Sequence, residues 1–177
     1  MTASSSDIGP CAHVAFTGHR PHRISWWAGL WLPGRLERLL KQFETEGTVP
    51  TLYCGLAAGA DLIAVRIALK RGWRVVAILP AKELPYRGRP LQGKWYKRFK
   101  HAMKTASEIH VANTDQMVSD PYRAAAVMML GFAECLIAVH DGGVAEGPGG
   151  THDVMSIARQ RGMKVHELRL WPARHRL

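Results

Sequence analysis

The chain has 177 residues, a length that suits one domain, and its 47% hydrophobic and 21% charged residues are ordinary globular values. No apolar run approaches the roughly 18 residues that a membrane-spanning helix needs, and the polar, Ser-rich start lacks the basic and apolar regions of a secretory signal. The formal net charge of +10 is compatible with anionic partners such as nucleic acid or phosphorylated ligands.

These properties predict a flexible tail over residues 1–10 and a single cytoplasmic domain over residues 11–177, with no membrane partner. The three cysteines are an odd set without CxxC spacing, and each lies within or beside an apolar run. We therefore interpret Cys11, Cys54 and Cys135 as reduced core residues.

Apolar segments bounded by turn residues alternate with helical segments along the chain. Strands are predicted at 12–17, 51–54, 74–79, 108–111, 135–139 and 164–168. Helices are predicted at 34–45, 60–71, 91–106, 121–132 and 151–161. This alternation is typical of an α/β fold with a mostly parallel central sheet covered by helices on both faces, a three-layer sandwich.

Residues 22–32 include three closely spaced tryptophans, Trp26, Trp27 and Trp31. This stretch fits neither the helical nor the strand period cleanly. Close aromatic spacing of this kind is typical of residues that cover a core. A loop over a pocket and an interface are the two alternatives for the same stretch.

Residues 52–80 combine a strand, a glycine turn, a helix and a second strand in one βαβ unit. Gly55 and Gly59 bracket the turn, and the helix opens at Ala60 and Asp61, so its free N–H groups face the loop. This arrangement predicts an anion site. Asp61 either accepts from ribose hydroxyls or caps the helix. GxxxxGK[ST] and GxGxxG are both absent, so P-loop ATPase chemistry is not supported.

The connection between Lys82 and Lys104 carries eight positive residues and one negative residue, Glu83, with four aromatic residues interleaved. A solvated amphipathic helix whose aromatics dock on the sheet accounts for this composition. Phosphate pairing and base stacking with single-stranded nucleic acid, or contact with a phosphorylated small ligand, are the functional alternatives.

The helix at 121–132 has a well-marked start, because Asp120 offers an N-cap and Pro121 occupies a position where a missing N–H costs nothing. Met128, Met129 and Phe132 on this helix offer a dimer interface, although core packing explains them equally well.

Glycine-rich and polar segments follow four of the predicted strands. In an open parallel sheet, ligands bind beyond the carboxyl ends of the strands, so these segments predict one shared site. The expected ligand-binding residues are Thr17, Gly18, His19, Arg20, Gly55, Leu56, Ala58, Gly59, Asp61, Pro80, Arg123, Asp141, Gly142, Gly149, Gly150 and Thr151.

Nine histidines are scattered through the chain without HExxH or Cys/His spacing, so no metal site and no cofactor is predicted. Of these, His19, His140 and His152 lie in segments that border the expected site. Each is either a hydrogen-bonded structural residue or an acid–base group for the ligand.

The order of these segments resembles the SMF/LOG-like (SLOG) superfamily of Rossmann-like nucleotide-binding domains. The resemblance runs from Phe16 to about Val165 and depends on the TGHR loop, GLAAGAD, Tyr122-Arg123, LIAVHDG and GPGGT. It is nearest to the YpsA-like branch. For this chain it implies a Rossmann-like fold, homodimerisation, and binding of a nucleotide or nucleotide-derived molecule of the NAD, ADP-ribose or nucleoside phosphate type, by a sensor or binding module.

Two other branches of the superfamily give alternatives. The LOG enzymes cleave the N-glycosidic bond of nucleoside 5'-monophosphates and carry PGGxGTxxE with an upstream helix Arg, which Arg123 matches. Here the glutamate position is Val154, so the candidate catalytic residues are Arg123, Asp141 and Asp153, and enzymatic activity is left open. The DNA-processing branch has a turn like GLAAGAD and binds single-stranded DNA.

Overall fold

The computed structural model describes residues 11–81, 91–112, 120–143 and 147–170. Its six strands are β1 (His13–Gly18), β2 (Thr51–Cys54), β3 (Arg74–Leu79), β4 (Glu108–Val111), β5 (Cys135–His140) and β6 (Lys164–Arg169). They coincide with the predicted strands or differ by one residue at an end. The expected flexible tail, and Lys82, Arg87 and Arg89 of the basic connection, lie outside the described residues.

Five α-helices connect these strands: α1 (Trp26–Lys41), α2 (Ala60–Lys70), α3 (Gly93–Thr105), α4 (Pro121–Phe132) and α5 (Thr151–Gln160). Helix α4 has the predicted bounds, because the Asp120 side chain accepts from the N–H groups of Tyr122 and Arg123, and Pro121 occupies the first turn. A short 3₁₀ helix, Pro21–Arg23, separates β1 from α1.

The strands form one all-parallel sheet in the order β4-β3-β2-β1-β5-β6. The chain builds the sheet from β1 outward through β2, β3 and β4, then returns to place β5 on the other side of β1, with Val14 opposite Cys135. The strand order therefore reverses between β1 and β5, which is where ligands bind in open α/β sheets. The Rossmann-like three-layer architecture is confirmed.

Neighbouring residues of each strand pack on opposite faces of the sheet. Val14 and Phe16 belong to the core under α1, α2 and α3, whereas Ala15 belongs to the core under α4 and α5. β5 is buried along its whole length, as expected for a strand covered on both faces. The two cores hold the carboxyl ends of β1 and β5 in fixed positions.

Helix α1 begins eight residues before the predicted start. Pro33 and Gly34 suggested a helix boundary, but Ala28, Leu32 and Leu36 repeat at every fourth position on both sides of the proline and are all buried. This packed stripe stabilises the helix despite the hydrogen bond that Pro33 cannot donate. The side chain of Ser25 accepts from Ala28 N at 3.3 Å and caps the start.

Trp26 and Trp27 begin α1, and Trp31 lies in its second turn. Trp31 packs on the core, but Trp26 is 65% exposed and stacks on the exposed Trp27 with ring centroids 3.5 Å apart. The expectation that these tryptophans cover the core therefore holds for Trp31 and is wrong for the other two.

Cys11 and Cys135 form a disulfide that connects the start of β5 to the residues just before β1, with the two Cα atoms 6.8 Å apart. The interpretation of these two cysteines as reduced is therefore wrong. It failed because a separation of 124 residues leaves no local spacing signal, whereas β1 and β5 are paired neighbours in the sheet. Cys54 is a free, buried cysteine, as predicted.

None of the described helices is both long and apolar enough to cross a membrane.

Candidate functional site

A cleft opens at the carboxyl ends of the central strands, beside the point where the strand order reverses. Its volume, including the part open to solvent, is about 760 Å³. The cleft is bounded by the ends of β1, β2 and β3, by one face of α4 and by the start of α5.

Ten of the sixteen expected ligand-binding residues line this cleft: Thr17, Gly18, His19, Arg20, Gly55, Asp61, Pro80, Gly149, Gly150 and Thr151. The structure brings these together although they come from four separate segments. The other six do not line it: Leu56, Ala58, Gly59, Arg123, Asp141 and Gly142.

The turn after β2 is packed against the loop after β1. A Cβ atom at Gly59, whose φ is 106°, would lie 2.4 Å from the carbonyl oxygen of His19, so only glycine permits this approach. That carbonyl accepts from Ala60 N at 3.1 Å, which caps the first N–H of α2. Leu56 is fully buried and has a φ of 57°. Gly59 and Leu56 therefore shape the turn from behind the cleft.

The first turn of α5 provides the main anion-binding geometry in the cleft. The first hydrogen bond at this end runs from Val154 N to Gly150 O, so the N–H groups of Thr151 to Asp153 precede the helical ladder. Gly150 and Thr151 line the cleft, which places this positive helix end at its wall. Asp153 accepts from Gly149 N at 2.8 Å and holds the turn that leads into the helix.

Asp61 is a buried carboxyl group at the floor of the cleft, with only 5% of its surface exposed. Its Oδ2 accepts from Ala57 N at 3.3 Å, whereas Oδ1 has no hydrogen-bond partner among the described residues. Burial raises its pKa to about 7, against the lowering effects of the Ala57 N–H, the Cys54 side chain and the charge of Arg20. Asp61 therefore exchanges a proton near neutral pH and has one oxygen available to a ligand.

The opposite wall of the cleft is apolar and was not anticipated as part of the site. It includes Ala125, Ala126 and Met129 of α4, together with Ile78 and Val154. The sequence marked these residues only as an apolar face, and an apolar face packs equally well on a core. Met129 is buried within the chain, so it is not available for the dimer interface suggested above. Phe132 is 44% exposed and stacks on Tyr53.

Arg123, expected to neutralise a phosphate, lies outside the cleft. Its Nη1 is 3.6 Å from Asp153 Oδ1, and its side chain is 47% exposed. The preceding residue, Tyr122, lines the cleft instead. A helix has one residue every 100°, so neighbours on α4 point in different directions, and only the structure shows which of the two faces the ligand.

Asp141 lies beside the cleft and is held by several groups. Its carboxylate accepts from Arg23 Nε at 2.9 Å, from Gly143 N at 2.8 Å and from His19 Nε2 at 2.9 Å. Although burial raises its pKa, these hydrogen bonds hold the pKa at about 2. Burial lowers the pKa of His19, so this histidine is neutral at pH 7.

Three imidazole rings converge near this carboxylate. His152 is 5.7 Å from His19 and 5.6 Å from His140 between ring centroids. His140 accepts from Gly142 N through Nδ1 and donates from Nε2 to Glu167 at 2.9 Å, so both of its nitrogens are engaged. Burial lowers the pKa of His152, whose Nε2 is buried and lacks a hydrogen-bond partner within the described part of the chain.

Comparisons with known proteins support the fold. No family model matches this chain, and no curated protein matches it. DNA processing protein A from Helicobacter pylori, described with a single-stranded DNA binding mode, superposes with a TM-score of 0.60 at 12% identity over 93% of this chain and 68% of that chain. DNA processing protein A from Streptococcus pneumoniae gives a TM-score of 0.56 at 18% identity over 87% of this chain.

The chain spans about half the length of the pneumococcal protein, 49%, and about two thirds of the Helicobacter protein. At these identities the likeness shows a shared Rossmann-like fold alone. The branch, the ligand and the activity of this chain are therefore matters for proposal.

Proposed function

We propose that this protein binds a nucleotide or nucleotide-derived small molecule in the cleft, as a sensor or binding module. The observation that carries this proposal is the presence, in one cleft, of a helix N-terminus, an apolar wall, and a buried carboxyl group one of whose oxygens has no hydrogen-bond partner among the described residues. All three features come from residues that line the cleft in the described part of the chain.

Each feature fits a different part of such a ligand. The N–H groups at the start of α5 and the guanidinium of Arg20 suit a phosphate or diphosphate. Asp61 Oδ1 suits a ribose hydroxyl, and the wall around Met129 and Val154 suits the face of a base. A simple inorganic anion would leave the apolar wall unused, so the shape favours a nucleotide over free phosphate.

The experiment is a thermal-shift screen of nucleoside mono- and diphosphates, NAD, ADP-ribose and cyclic nucleotides. A ligand at one hundred times its Kd stabilises a protein by about 2.7 kcal/mol, and each kcal/mol raises Tm by about 2–4 °C for a chain of this size. We expect at least one nucleotide to raise Tm by about 5 °C or more. No shift with any of them at millimolar concentration would contradict the proposal.

Hydrolysis of the LOG type has less support from the geometry. Val154 occupies the glutamate position and contributes an apolar side chain to the cleft wall. Asp153 accepts from Gly149 N and Asp141 accepts from Arg23. Within the described part of the chain, Asp61 is then the cleft carboxyl group with an oxygen that lacks a hydrogen-bond partner. Chromatography of each stabilising nucleotide after incubation separates the two functions, because a binding module returns it intact and a hydrolase releases free base.

The exposed face of α3 supports a second function, binding of single-stranded nucleic acid. Trp95 packs partly on the core, with Lys94 Nζ 5.3 Å and the Arg98 guanidinium 5.0 Å from its ring centroid. Lys100 lies over the half-exposed Tyr96. Arg98 also borders a groove between α2 and α3 with an apolar floor, where burial and the nearby Arg66 lower its pKa. Cations interleaved with aromatic rings suit phosphates and stacked bases.

A salt titration of a fluorescent single-stranded oligonucleotide tests this second function. Binding should weaken steeply with salt, because the logarithm of the association constant falls by about 0.7 per tenfold rise in salt concentration for each phosphate neutralised. Lys97→Glu should weaken it at least about tenfold at low salt, since it reverses one phosphate contact in the groove. Arg161→Glu, on the opposite face of the sheet, makes the same charge change and should have little effect. Equal losses in both variants would rule out α3 as the binding surface.

A further inference from the structure

Three potential metal ligands meet beside the cleft, although no sequence motif connects them. His19 follows β1, Asp141 follows β5, and His152 is the second residue of α5. Each offers one ligand atom, and the three atoms lie within 4.8 Å of one another. Two neighbouring strands and the following helix thus bring together residues that are 122 and 11 positions apart in sequence.

The chemistry of this set suits a transition-metal ion. Two imidazoles and a carboxylate are a common donor set for catalytic zinc, which keeps a fourth position open. In a tetrahedral site with bonds of about 2.1 Å, two ligand atoms lie about 3.4 Å apart, so a pair at the 4.8 Å limit must close by up to about 1.4 Å through side-chain rotation.

His152 provides an independent indication. A buried ring nitrogen without a hydrogen-bond partner is destabilising, so Nε2 of His152 calls for a bound group that the described part of the chain does not supply. His140 is the nearest alternative ligand, but its two nitrogens are occupied by Gly142 N and Glu167. It packs edge-on against His152 and fixes the orientation of that ring.

Arg23 is the group that opposes a cation here. Its Nε donates to Asp141 Oδ2 at 2.9 Å, and its Nη2 donates to Oδ1 at 2.5 Å. An ion on Oδ1 displaces the second of these bonds and shares that oxygen with Gly143 N, which donates to it at 2.8 Å. The first bond is kept and holds the carboxylate in place, as outer-shell partners do. The ion also replaces the hydrogen bond between His19 and Asp141, and the imidazole takes the tautomer that leaves its ligating nitrogen free.

We propose that His19, Asp141 and His152 bind a zinc-class divalent metal ion. His19 also lines the nucleotide cleft, so the open coordination position lies at the edge of that cleft. The proposal does not depend on the proposed nucleotide binding, because the ion needs no other ligand to bind.

The test uses the full chain freed of metal by a chelator and titrated with Co²⁺, whose visible absorption reports coordination by nitrogen and oxygen, followed by displacement with Zn²⁺. We expect about one equivalent of each ion per chain. His152→Ala and His19→Gln should each weaken binding by at least about tenfold, with folding verified by circular dichroism.

The matched control is His110→Ala. His110 also lies beside a carboxylate, with its Nε2 3.1 Å from Glu108, but it belongs to β4 at the edge of the sheet, away from the three ligands. This variant should bind the ions like the parent chain. The proposal is overturned if the parent takes up no equivalent of either ion, or if His152→Ala binds as tightly as the parent.

Discussion

At the scale of single residues, the ionisation of Asp61 distinguishes a functional carboxyl group from a structural one. Most carboxylates in folded proteins have partners that stabilise the charged form, as Asp141 does with Arg23. Asp61 shows the opposite balance, since burial outweighs its few hydrogen bonds. A buried carboxyl group that costs stability at neutral pH, and that faces a cleft, is typical of a binding or catalytic position.

This balance gives a prediction for stability. The folded pKa of about 7 lies above the ordinary 3.8, so the folded chain holds a proton that the unfolded chain has lost, and stability falls as pH rises from about 4 to about 7. Asp61→Asn removes this loss. Each unit of pKa difference between the folded and unfolded chain corresponds to about 1.4 kcal/mol. The substitution should therefore change stability little at pH 4 and stabilise the protein by about 4 kcal/mol at pH 8.

Urea unfolding of both proteins at the two pH values measures the effect. Asp141→Asn serves as the opposite case, because its pKa is held at about 2 and the charged form is the stabilised one, so it should lower stability at both pH values. An Asp61→Asn curve that runs parallel to that of the parent from pH 4 to pH 8 would show that Asp61 is ionised throughout.

At the scale of structural elements, the start of α5 depends on a close contact between the GPGGT turn and α4. Gly149 has a φ of 67°, and a Cβ atom there would lie 2.4 Å from the Tyr122 carbonyl carbon. This contact places the N-terminal amides of α5 at the cleft. The same turn is held from the other side by the Asp153 carboxylate.

Gly149→Ala should therefore destabilise the protein by about 3 kcal/mol or more, the sum of left-handed strain and a backbone clash. Gly142→Ala is the matched control: its φ of 76° imposes the same strain, but nothing lies within 4 Å of the added Cβ, so it should cost about 1 kcal/mol. Chemical denaturation measures both. Equal costs would mean that the turn moves away from Tyr122 without penalty.

The sequence predicted the elements well where local signals were complete. The strands are apolar runs bounded by turn residues, and α4 has both an N-cap and a first-turn proline, so their bounds needed no tertiary information. The start of α1 was missed because Pro33 suggested a break that the packing of Leu32 and Leu36 overrides. Local signals cannot show how much a buried stripe compensates for a lost hydrogen bond.

At the scale of the whole molecule, the site was predictable as far as the topology rule extends. Because parallel strands end at one edge, the TGHR loop, Gly55, Asp61 and the GPGGT turn were expected together, and the structure places them around one cleft. The apolar wall, the exclusion of Arg123 and the meeting of His152 with Asp141 depend on helix rotation and strand order, which the sequence does not specify.

The central claim concerns a nucleotide held across the whole cleft, and calorimetric titration of the most stabilising nucleotide tests it most directly. Arg20→Ala removes a charge-assisted phosphate contact worth about 1.5–3 kcal/mol, so Kd should rise about 10- to 100-fold. Arg74→Ala removes an exposed arginine from the amino end of β3, at the opposite edge of the sheet, and should leave Kd within about threefold. Equal affinity in the parent and both variants would contradict the account.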